Sequence, residues 1–277
     1  MIEVNGIKVI VERFPDGTPK INLDPLAVEV ENYFGASWLH IKWFYETDDE
    51  LFILYLVKKH LEENFTDPCI LEMPYIPNAR MDRVKNDDEV FTLKYFCDFI
   101  NSLHFEAVWV LDPHSCVSEA LLNSIKIKQP SGHVVRAIKS MCSNHPEITK
   151  EDWMMFYPDE GAMKRYSTNL PYKYAFGIKR RNWETGKIEG LDVAGCTEEI
   201  KDKVILIVDD ICSRGGTFYH SAKKLKELGA KEIYLYITHC ENTILEGELL
   251  TSGLIEKVYT TNSIFTKEHE KIEVFKL

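Results

Sequence analysis

The sequence lacks a long hydrophobic run, a signal-peptide pattern and any closely spaced pair of cysteines. The longest clear apolar run, Leu51 to Val57, is far too short to cross a bilayer, which takes about 20 apolar residues. Seven cysteines are scattered through 277 residues with no CxxC motif, so neither a zinc site nor a disulfide framework is indicated. An odd number of separated thiols is typical of a reducing compartment. We therefore expect a cytoplasmic protein.

Basic residues are also fewer than acidic ones. The chain has 33 Lys and Arg residues against 44 Asp and Glu residues, a net charge of −11. Nucleic-acid binders usually present a basic face, so this balance favours small-molecule partners and argues against nucleic acid or a membrane. Any polyphosphate site must then be locally basic or loaded with metal. The length is sufficient for two α/β lobes with buried cores.

The stretch from Val204 to Gly229 is the most informative part of the chain. Val204 to Val208 are apolar and mostly β-branched, which predicts a strand buried on both faces, as in a parallel sheet. Two acids, Asp209 and Asp210, end this run, and an amphipathic helix pattern closes with Gly229 as a C′ residue. The turn between strand and helix consists of Ser213, Arg214, Gly215, Gly216 and Thr217.

A strand, a glycine-rich turn and a helix N-terminus together predict an anion site. Unpaired backbone N–H groups and the helix dipole point at one spot, and Gly215 and Gly216 permit a positive φ and a close backbone approach. Carboxylates at the carboxyl end of a strand lie where open α/β sheets bind ligands, and they accept hydrogen bonds from sugar hydroxyls. An ordinary βα turn with solvated acids is the alternative.

The order of residues in VDDICSRGGTF resembles a known loop. It is similar to the phosphoribosyl-diphosphate loop of type I phosphoribosyltransferases and ribose-phosphate diphosphokinases. The resemblance implies that Asp209 and Asp210 hold ribose hydroxyls, while the loop from Ser213 to Thr217 wraps the 5-phosphate.

Two segments of the first half extend the resemblance to the diphosphokinases. FPDGT, which by itself predicts a hairpin turn, resembles F-x-D-G-E, so Phe14 and Asp16 would contact the adenine of ATP. NARMDR resembles Y-A-R-Q-D-R, which assigns Arg80, Asp82 and Arg83 to the ATP site. Arginine forks suit phosphate groups, although isolated arginines more often lie on a surface.

Three further segments complete the pattern. DPHS resembles D-L-H-S/A, so His114 would serve the Mg²⁺–ATP site, although a lone histidine is more often structural. PDEGAMKR resembles S-P-D-x-G-x-x-x-R and gives Asp159 as a metal ligand. KRR, otherwise a solvated basic patch, resembles the mobile catalytic loop, in which Lys179 and Arg181 would neutralise the charge on the transferred phosphoryl group.

The family implies two similar phosphoribosyltransferase-type, Rossmann-like lobes with mostly parallel sheets. Pro130 breaks the pattern between them, so we expect an ATP-binding lobe at 1–130 and a second lobe with the ribose-phosphate loop at 131–277. The last strand can belong to the second lobe or return to the first. Family members usually form dimers that build hexamers. Since an N-terminal strand–helix unit and a final helix are missing, we expect a homodimer or simple oligomer with weak ADP allostery.

The predicted activity is a diphosphokinase that moves the β,γ-diphosphate of ATP to the anomeric hydroxyl of a 5-phosphorylated ribose, with Mg²⁺ and release of AMP. A type I phosphoribosyltransferase is the second hypothesis, but it needs neither NARMDR nor DPHS. A silent regulatory paralogue is the third, and intact Lys179 and Arg181 argue against it. ATP-dependent AMP release with a ribose acceptor separates the three.

The acceptor is either ribose 5-phosphate or ADP-ribose. Ser213 and Arg214 replace an acid–threonine pair of the family loop, which predicts a more cationic and bulkier phosphate pocket. This loop resembles a divergent, often phage-encoded branch that makes ADP-ribose diphosphate in NAD⁺ rebuilding. Thr18 and Met81 also depart from the family's nucleotide motifs. We favour ADP-ribose.

Overall fold

The chain forms two compact α/β units, Met1–Gln129 and Pro130–Leu277. The computed structural model describes residues 1–24, 28, 31–33, 36–143, 145–181 and 188–277. The expected division after residue 130 lies beside the division between these units. Within the described residues, no helix is both long and apolar enough to cross a membrane.

The first unit is built on a sheet with the strand order β2-β1-β6-β7-β8-β9, in which β5 also pairs with β6. Strands β6 to β9 are parallel, whereas β1, β2 and β5 add antiparallel edges. A separate hairpin pairs β3 with β4. The elements are β1 Ile2–Val4, β2 Ile7–Lys8, β3 Ile10–Arg13, β4 Pro19–Asn22, β5 Glu31–Tyr33, β6 Ala36–Trp43, α1 Glu50–Asn64, β7 Cys69–Glu72, α2 Thr92–Ser102, β8 Ala107–Leu111, α3 Cys116–Leu121 and β9 Ile125–Lys128.

The two faces of this sheet differ in chemistry, because successive side chains of a strand point to opposite faces. Leu39 and Ile41 of β6 are buried in a core that also contains Leu54 and Val57 of α1. The helix supplies these residues at the spacing of one amphipathic face. Burial of this apolar surface holds the helices on the sheet.

The opposite face carries an ion cluster around Glu72, at the end of β7. His40 Nε2 lies 3.1 Å and Lys128 Nζ 2.8 Å from the Glu72 carboxylate. Burial alone would raise the pKa of Glu72. Hydrogen bonds from His40 and Lys128, with the charges of Lys128 and Lys42, outweigh burial and lower this pKa to about 2.

The second unit has the strand order β12-β11-β10-β13-β14-β15-β16, parallel throughout except for the antiparallel pair β11–β12. This arrangement, with the parallel sheet of the first unit, confirms the predicted fold class. The elements are α4 Ser131–Ser143, β10 Trp153–Tyr157, α5 Glu160–Tyr166, β11 Tyr174–Arg181, β12 Ile188–Gly195, a 3₁₀ turn Thr197–Glu199, β13 Val204–Cys212, α6 Gly216–Glu227, β14 Glu232–Cys240, a 3₁₀ turn Asn242–Glu246, β15 Lys257–Thr261 and β16 Ile272–Phe275.

Strand β13 lies in the middle of this sheet and is buried on both faces, as its apolar run predicts. Ile205 and Ile207 pack in a core with α6, whereas Leu206 and Val208 pack in a second core with α4 and α5. Pairing with β14 continues to Cys212, so the strand runs past the apolar residues and includes both aspartates.

The structure decides one open alternative about the strands and corrects one expectation. The last strand, β16, pairs in parallel with β15 and therefore belongs to the second unit instead of returning to the first. Lys179 and Arg181 do not lie on a loop, because their backbone continues β11 and pairs with Leu191 and Ile188 of β12. The residues between these strands, 182–187, lie outside the described part of the chain.

Candidate active site

The site of the second unit lies where the order of the strands reverses. Strands β10 and β13 are neighbours, yet the chain continues from β10 to β11 on one side and from β13 to β14 on the other. A crevice forms at the carboxyl ends of such strands, and it is the usual ligand position of an open α/β sheet. Asp159 follows β10, and Asp209 and Asp210 lie near the carboxyl end of β13. The structure therefore brings these three predicted acids to one edge.

Asp210 is held by an arginine. Its side chain is 4 % exposed, and its Oδ1 lies 3.1 Å from Nη1 of Arg165 on α5. Burying a carboxylate is costly unless an opposite charge and hydrogen bonds compensate it. Arg165 supplies that charge, so Asp210 is fixed beside α5 in a defined orientation.

Asp209 lies near two other acids, and its Oδ1 accepts a hydrogen bond from the Asp210 N–H at 3.0 Å. Burial, together with the charges of Asp210 and Asp159, raises the pKa of Asp209 well above its ordinary value. Asp159 is the N-cap of α5 and accepts a hydrogen bond from the Ala162 N–H at 3.0 Å. The charges gathered at this edge would be relieved by a cation.

These acids fit Mg²⁺, which binds proteins through one or two carboxylates and keeps oxygens of water and substrate phosphates. Asp159 is the residue of this unit that would hold it. Within the described residues, no group of three or more His, Cys, Asp or Glu side chains forms a metal site by itself. The remaining ligands would accordingly come from substrate and water.

The phosphate loop, Ser213 to Thr217, leads from β13 into α6. Gly215 has a φ of +80°, the left-handed conformation that favours glycine, whereas Gly216 begins the helix without a positive φ. The first N–H groups of a helix have no partner within it, and they carry the positive end of its dipole. This end of α6 is therefore suited to an anion, as the sequence predicts. Gly229, with φ +88°, follows the other end of α6 as expected.

A neighbouring segment, residues 241–249, holds this loop. The Ser213 hydroxyl donates to Glu241 at 2.7 Å, and Arg214 Nη2 lies 3.1 Å from the Glu246 carboxylate. The backbones also approach closely, because a Cβ added to Gly247 would lie 1.9 Å from the Arg214 carbonyl oxygen. Two carboxylates from outside the loop therefore accompany Ser213 and Arg214, while the more cationic and bulkier phosphate pocket stays a prediction.

The first unit places the predicted arginines just past β7. A turn at Asn78, with φ +62°, carries the exposed Arg80 and Arg83, while Ala79 is buried. Arg83 Nε lies 3.2 Å from Asp82, and the Arg83 side chain is 74 % exposed. The buried residue anchors the segment, and its arginines extend towards solvent, where an anionic ligand can reach them.

His114 follows the neighbouring strand, β8, and therefore lies on the same sheet edge as that arginine segment. The backbone pairing continues past the end of β7, since the N–H of Leu111, the last residue of β8, donates to the Pro74 carbonyl at 3.1 Å. Phe14 and Asp16 instead occupy the turn of the β3–β4 hairpin, where Phe14 is 52 % exposed.

Asp16 is committed to that turn. Its Oδ1 accepts hydrogen bonds from the Thr18 hydroxyl at 2.7 Å and from the Thr18 N–H at 3.0 Å, and these bonds lower the Asp16 pKa. Thr18 thus completes the turn at the position where the resembled motif has glutamate. The structure supports the hairpin interpretation of FPDGT, while adenine contact stays a prediction.

Comparison with known proteins finds similar sequences across the chain. A family model described as the phosphoribosyl synthetase-associated domain matches residues 190–277, which contain β13, the phosphate loop and α6. The ribose-phosphate pyrophosphokinase of Thermococcus kodakarensis is 27 % identical over 94 % of this chain and 87 % of its own length. That of Bacillus subtilis is 26 % identical over 97 % and 81 %. The chain is therefore similar to ribose-phosphate pyrophosphokinases over nearly its whole length.

A solved structure agrees on the fold. The phosphoribosylpyrophosphate synthetase of Mycobacterium smegmatis superposes with a TM-score of 0.74 at 17 % identity, covering 97 % of this chain and 86 % of the other. The similarity of fold therefore extends through both α/β units.

Three residues of the candidate site do not follow from the sequence analysis. Arg165 ends the PDEGAMKR motif, but the motif alone does not assign it a function. Its position six residues after Asp159 is the sequence feature that indicates a site residue. Glu241 could have been suspected because it directly follows an apolar strand. Gly247 gave no local signal, because its importance comes from a backbone more than 30 residues away in sequence.

Proposed function

We propose that this chain transfers the β,γ-diphosphate of ATP to the anomeric 1-hydroxyl of a 5-phosphorylated ribose and releases AMP. The anomeric oxygen forms a bond to the β-phosphorus, and the bond between that phosphorus and the oxygen bridging to the α-phosphate breaks. Its electron pair leaves with AMP, and the hydroxyl proton is released. The relatives that this chain resembles are named ribose-phosphate pyrophosphokinases. The observation that carries the proposal is the phosphate loop beside Asp209 and Asp210 at the switch point of the second unit.

The second unit would bind the acceptor. Asp209 and Asp210 accept hydrogen bonds from ribose hydroxyls, and the fixed orientation of Asp210 beside Arg165 prepares that contact. The N–H groups at the start of α6 and Thr217 take the 5-phosphate. Holding the hydroxyl still relative to the β-phosphorus supplies most of what such a transfer requires.

The first unit would bind ATP. Arg80 and Arg83 offer guanidinium groups to the phosphates, with Asp82 orienting Arg83 at 3.2 Å. His114 lies at the same edge of the sheet, and Phe14 offers an exposed ring to the base.

Lys179 and Arg181 would neutralise the charge that develops on the transferred group. Their backbone ends β11, so a strand supports their position. Mg²⁺, when bound by His114 or Asp159 together with phosphate oxygens, would withdraw charge from the diphosphate.

For the acceptor we favour ADP-ribose over ribose 5-phosphate. A terminal phosphate monoester carries about −1.5 to −2 charge at pH 7, whereas each phosphate of a diphosphate diester carries about −1. Glu241 and Glu246 bring negative charge to the loop, which suits the less charged phosphate. The Arg214 side chain is 73 % exposed, which leaves space on its solvent side for a larger group. The names of the relatives favour ribose 5-phosphate.

The test is to offer each acceptor with Mg²⁺ and ATP, and to measure AMP release and the diphosphorylated product by mass spectrometry. AMP release that depends on acceptor and Mg²⁺ supports a pyrophosphokinase. Turnover of ribose 5-phosphate without turnover of ADP-ribose would overturn the acceptor and leave the chemistry standing. Absence of AMP with both acceptors would overturn the function and favour a phosphoribosyltransferase or a silent paralogue.

Two expectations about the cellular form of the enzyme accompany this function. All seven cysteines are free thiols, which suits a cytoplasmic enzyme. A homodimer or simple homo-oligomer stays a prediction. Light scattering should give a mass of two chains, and a mass of six chains would contradict it.

A further inference from the structure

The phosphate loop is joined to the end of β14 through Glu241. The Glu241 N–H donates to the Cys212 carbonyl at 2.8 Å, which ties its backbone to the residue before the loop. Its carboxylate accepts hydrogen bonds from the Ser213 hydroxyl at 2.7 Å and the Thr243 hydroxyl at 3.0 Å. Glu241 therefore contacts the loop through both its backbone and its side chain.

The hydrogen bond to Glu241 limits what the Ser213 side chain can do for a substrate. A serine hydroxyl has a single proton to donate, and here the proton points to the Glu241 carboxylate. Hydrogen bonds to a charged acceptor are stronger than those between neutral groups. Ser213 consequently does not offer that proton to a phosphate oxygen while this bond stands.

Backbone packing supports the same connection further along the loop. The approach of Gly247 to the Arg214 carbonyl leaves no room for a side chain, and a Cβ on Gly215 would lie 2.8 Å from Leu249. Residues 241–249 thus lie against Cys212 and against the first three residues of the phosphate loop, Ser213 to Gly215. The N–H groups at the start of α6 are held in place by this contact.

We infer that Glu241 is a positioning residue, which holds the phosphate loop through the Ser213 hydroxyl so that backbone N–H groups meet the acceptor's phosphate. Ser213 then acts through Glu241 and not as a direct phosphate ligand. This role rests on the proposed function, because it concerns the same acceptor site.

The experiment uses Glu241→Gln, Ser213→Ala and the double variant in the full chain. Binding of ribose 5-phosphate and of ADP-ribose is measured by calorimetry without ATP, and KM and kcat are measured with Mg²⁺–ATP. Each single change should raise the acceptor Kd and KM about 10-fold, the size of one lost charge-assisted bond. KM for ATP and kcat should change less than about twofold.

The double variant decides between the two roles of Ser213. If Ser213 acts through Glu241, the double variant is no weaker than either single variant; if Ser213 binds phosphate directly, the two losses multiply and the inference is overturned. Ser213→Thr, which keeps the hydroxyl, should restore acceptor binding. Glu248→Gln changes an exposed acid of the same segment and should bind as the wild type does.

The remaining outcomes separate this inference from the proposed function. Wild-type protein that binds neither acceptor defeats the proposed function. Wild-type protein that binds an acceptor, with Glu241→Gln binding it equally, defeats the inference alone. A merely structural role would lower the unfolding temperature and raise KM for ATP and acceptor together, which also contradicts the inference. If Glu241→Gln fails to fold, Ser213→Ala, which removes a single oxygen, carries the same comparison against Ser213→Thr.

Discussion

The approach of Gly247 to the phosphate loop predicts a large effect from adding one methyl group. In Gly247→Ala the new Cβ would lie 1.9 Å from the Arg214 carbonyl oxygen and 2.8 Å from its carbonyl carbon. Both atoms belong to the backbone, so the two segments must separate by roughly 1 Å. Gly247 has φ −92°, so crowding and not left-handed strain is the cause.

Overpacking of this kind costs about 1–3 kcal/mol, and we expect the upper end because no side chain can move aside. That loss lowers Tm by roughly 10 °C for a unit of this size. A displacement of about 1 Å in a substrate-holding loop can lower the acceptor kcat/KM about 100-fold. Calorimetric unfolding and steady-state kinetics with varied acceptor measure the two effects.

Gly132→Ala is the matched control, since a Cβ on Gly132 meets nothing within 4 Å. Gly132 lies in α4, where alanine should be neutral or add up to about 1 kcal/mol of stability. If Gly247→Ala kept both the wild-type Tm and the wild-type kcat/KM for acceptor, the close packing of the segment on the loop would be refuted.

Three further changes test other parts of the structure. Arg165→Met removes the cation that lies 3.1 Å from the buried Asp210 and should cost about 3 kcal/mol of unfolding free energy in urea titrations. Lys179→Ala or Arg181→Ala should lower kcat about 100-fold or more, with unchanged unfolding by circular dichroism. For Glu72, a folded pKa of about 2 lies below the unfolded value of 4.5. Its contribution of about 3 kcal/mol is therefore complete above pH 4.5 and lost as the pH falls towards 2, so Glu72→Gln should destabilise the protein at pH 7 but hardly at pH 2.

Each of these three predictions has a control variant or an outcome that would contradict it. Arg165→Lys keeps the positive charge and should recover much of the lost stability. Equal urea midpoints for Arg165→Met and the wild type would show that the Arg165–Asp210 pair does not stabilise the fold. Near wild-type turnover in the Lys179→Ala or the Arg181→Ala variant would overturn the catalytic assignment of that residue. A Glu72→Gln variant with the same pH profile of stability as the wild type would contradict the shifted pKa.

Much of the second unit could be predicted from local pattern. An uninterrupted apolar run such as Val204 to Val208 is expected only where both faces are covered, and the structure covers both. The positive φ of Gly215 and Gly229 followed from the positions of a turn and a helix end. These features depend on neighbours a few residues away, which a sequence displays directly.

The features that sequence reasoning missed depend on distant partners. The polar KRR segment continues β11 only because β12 pairs with it, and β12 contains two glycines that weaken any strand signal. Glu241 reaches Ser213 across 28 residues of sequence. The carboxylates that the fold brings to the loop are therefore not visible in the composition of the loop itself.

The fate of the β-phosphate of ATP tests the central claim most directly. ATP labelled at the β-phosphorus, Mg²⁺ and a ribose 5-phosphoryl acceptor are incubated with the enzyme, and the products are separated by ion exchange. Diphosphate transfer predicts label on the sugar product and unlabelled AMP in equal amount. Label that stays in ADP, with a singly phosphorylated sugar, would contradict the account.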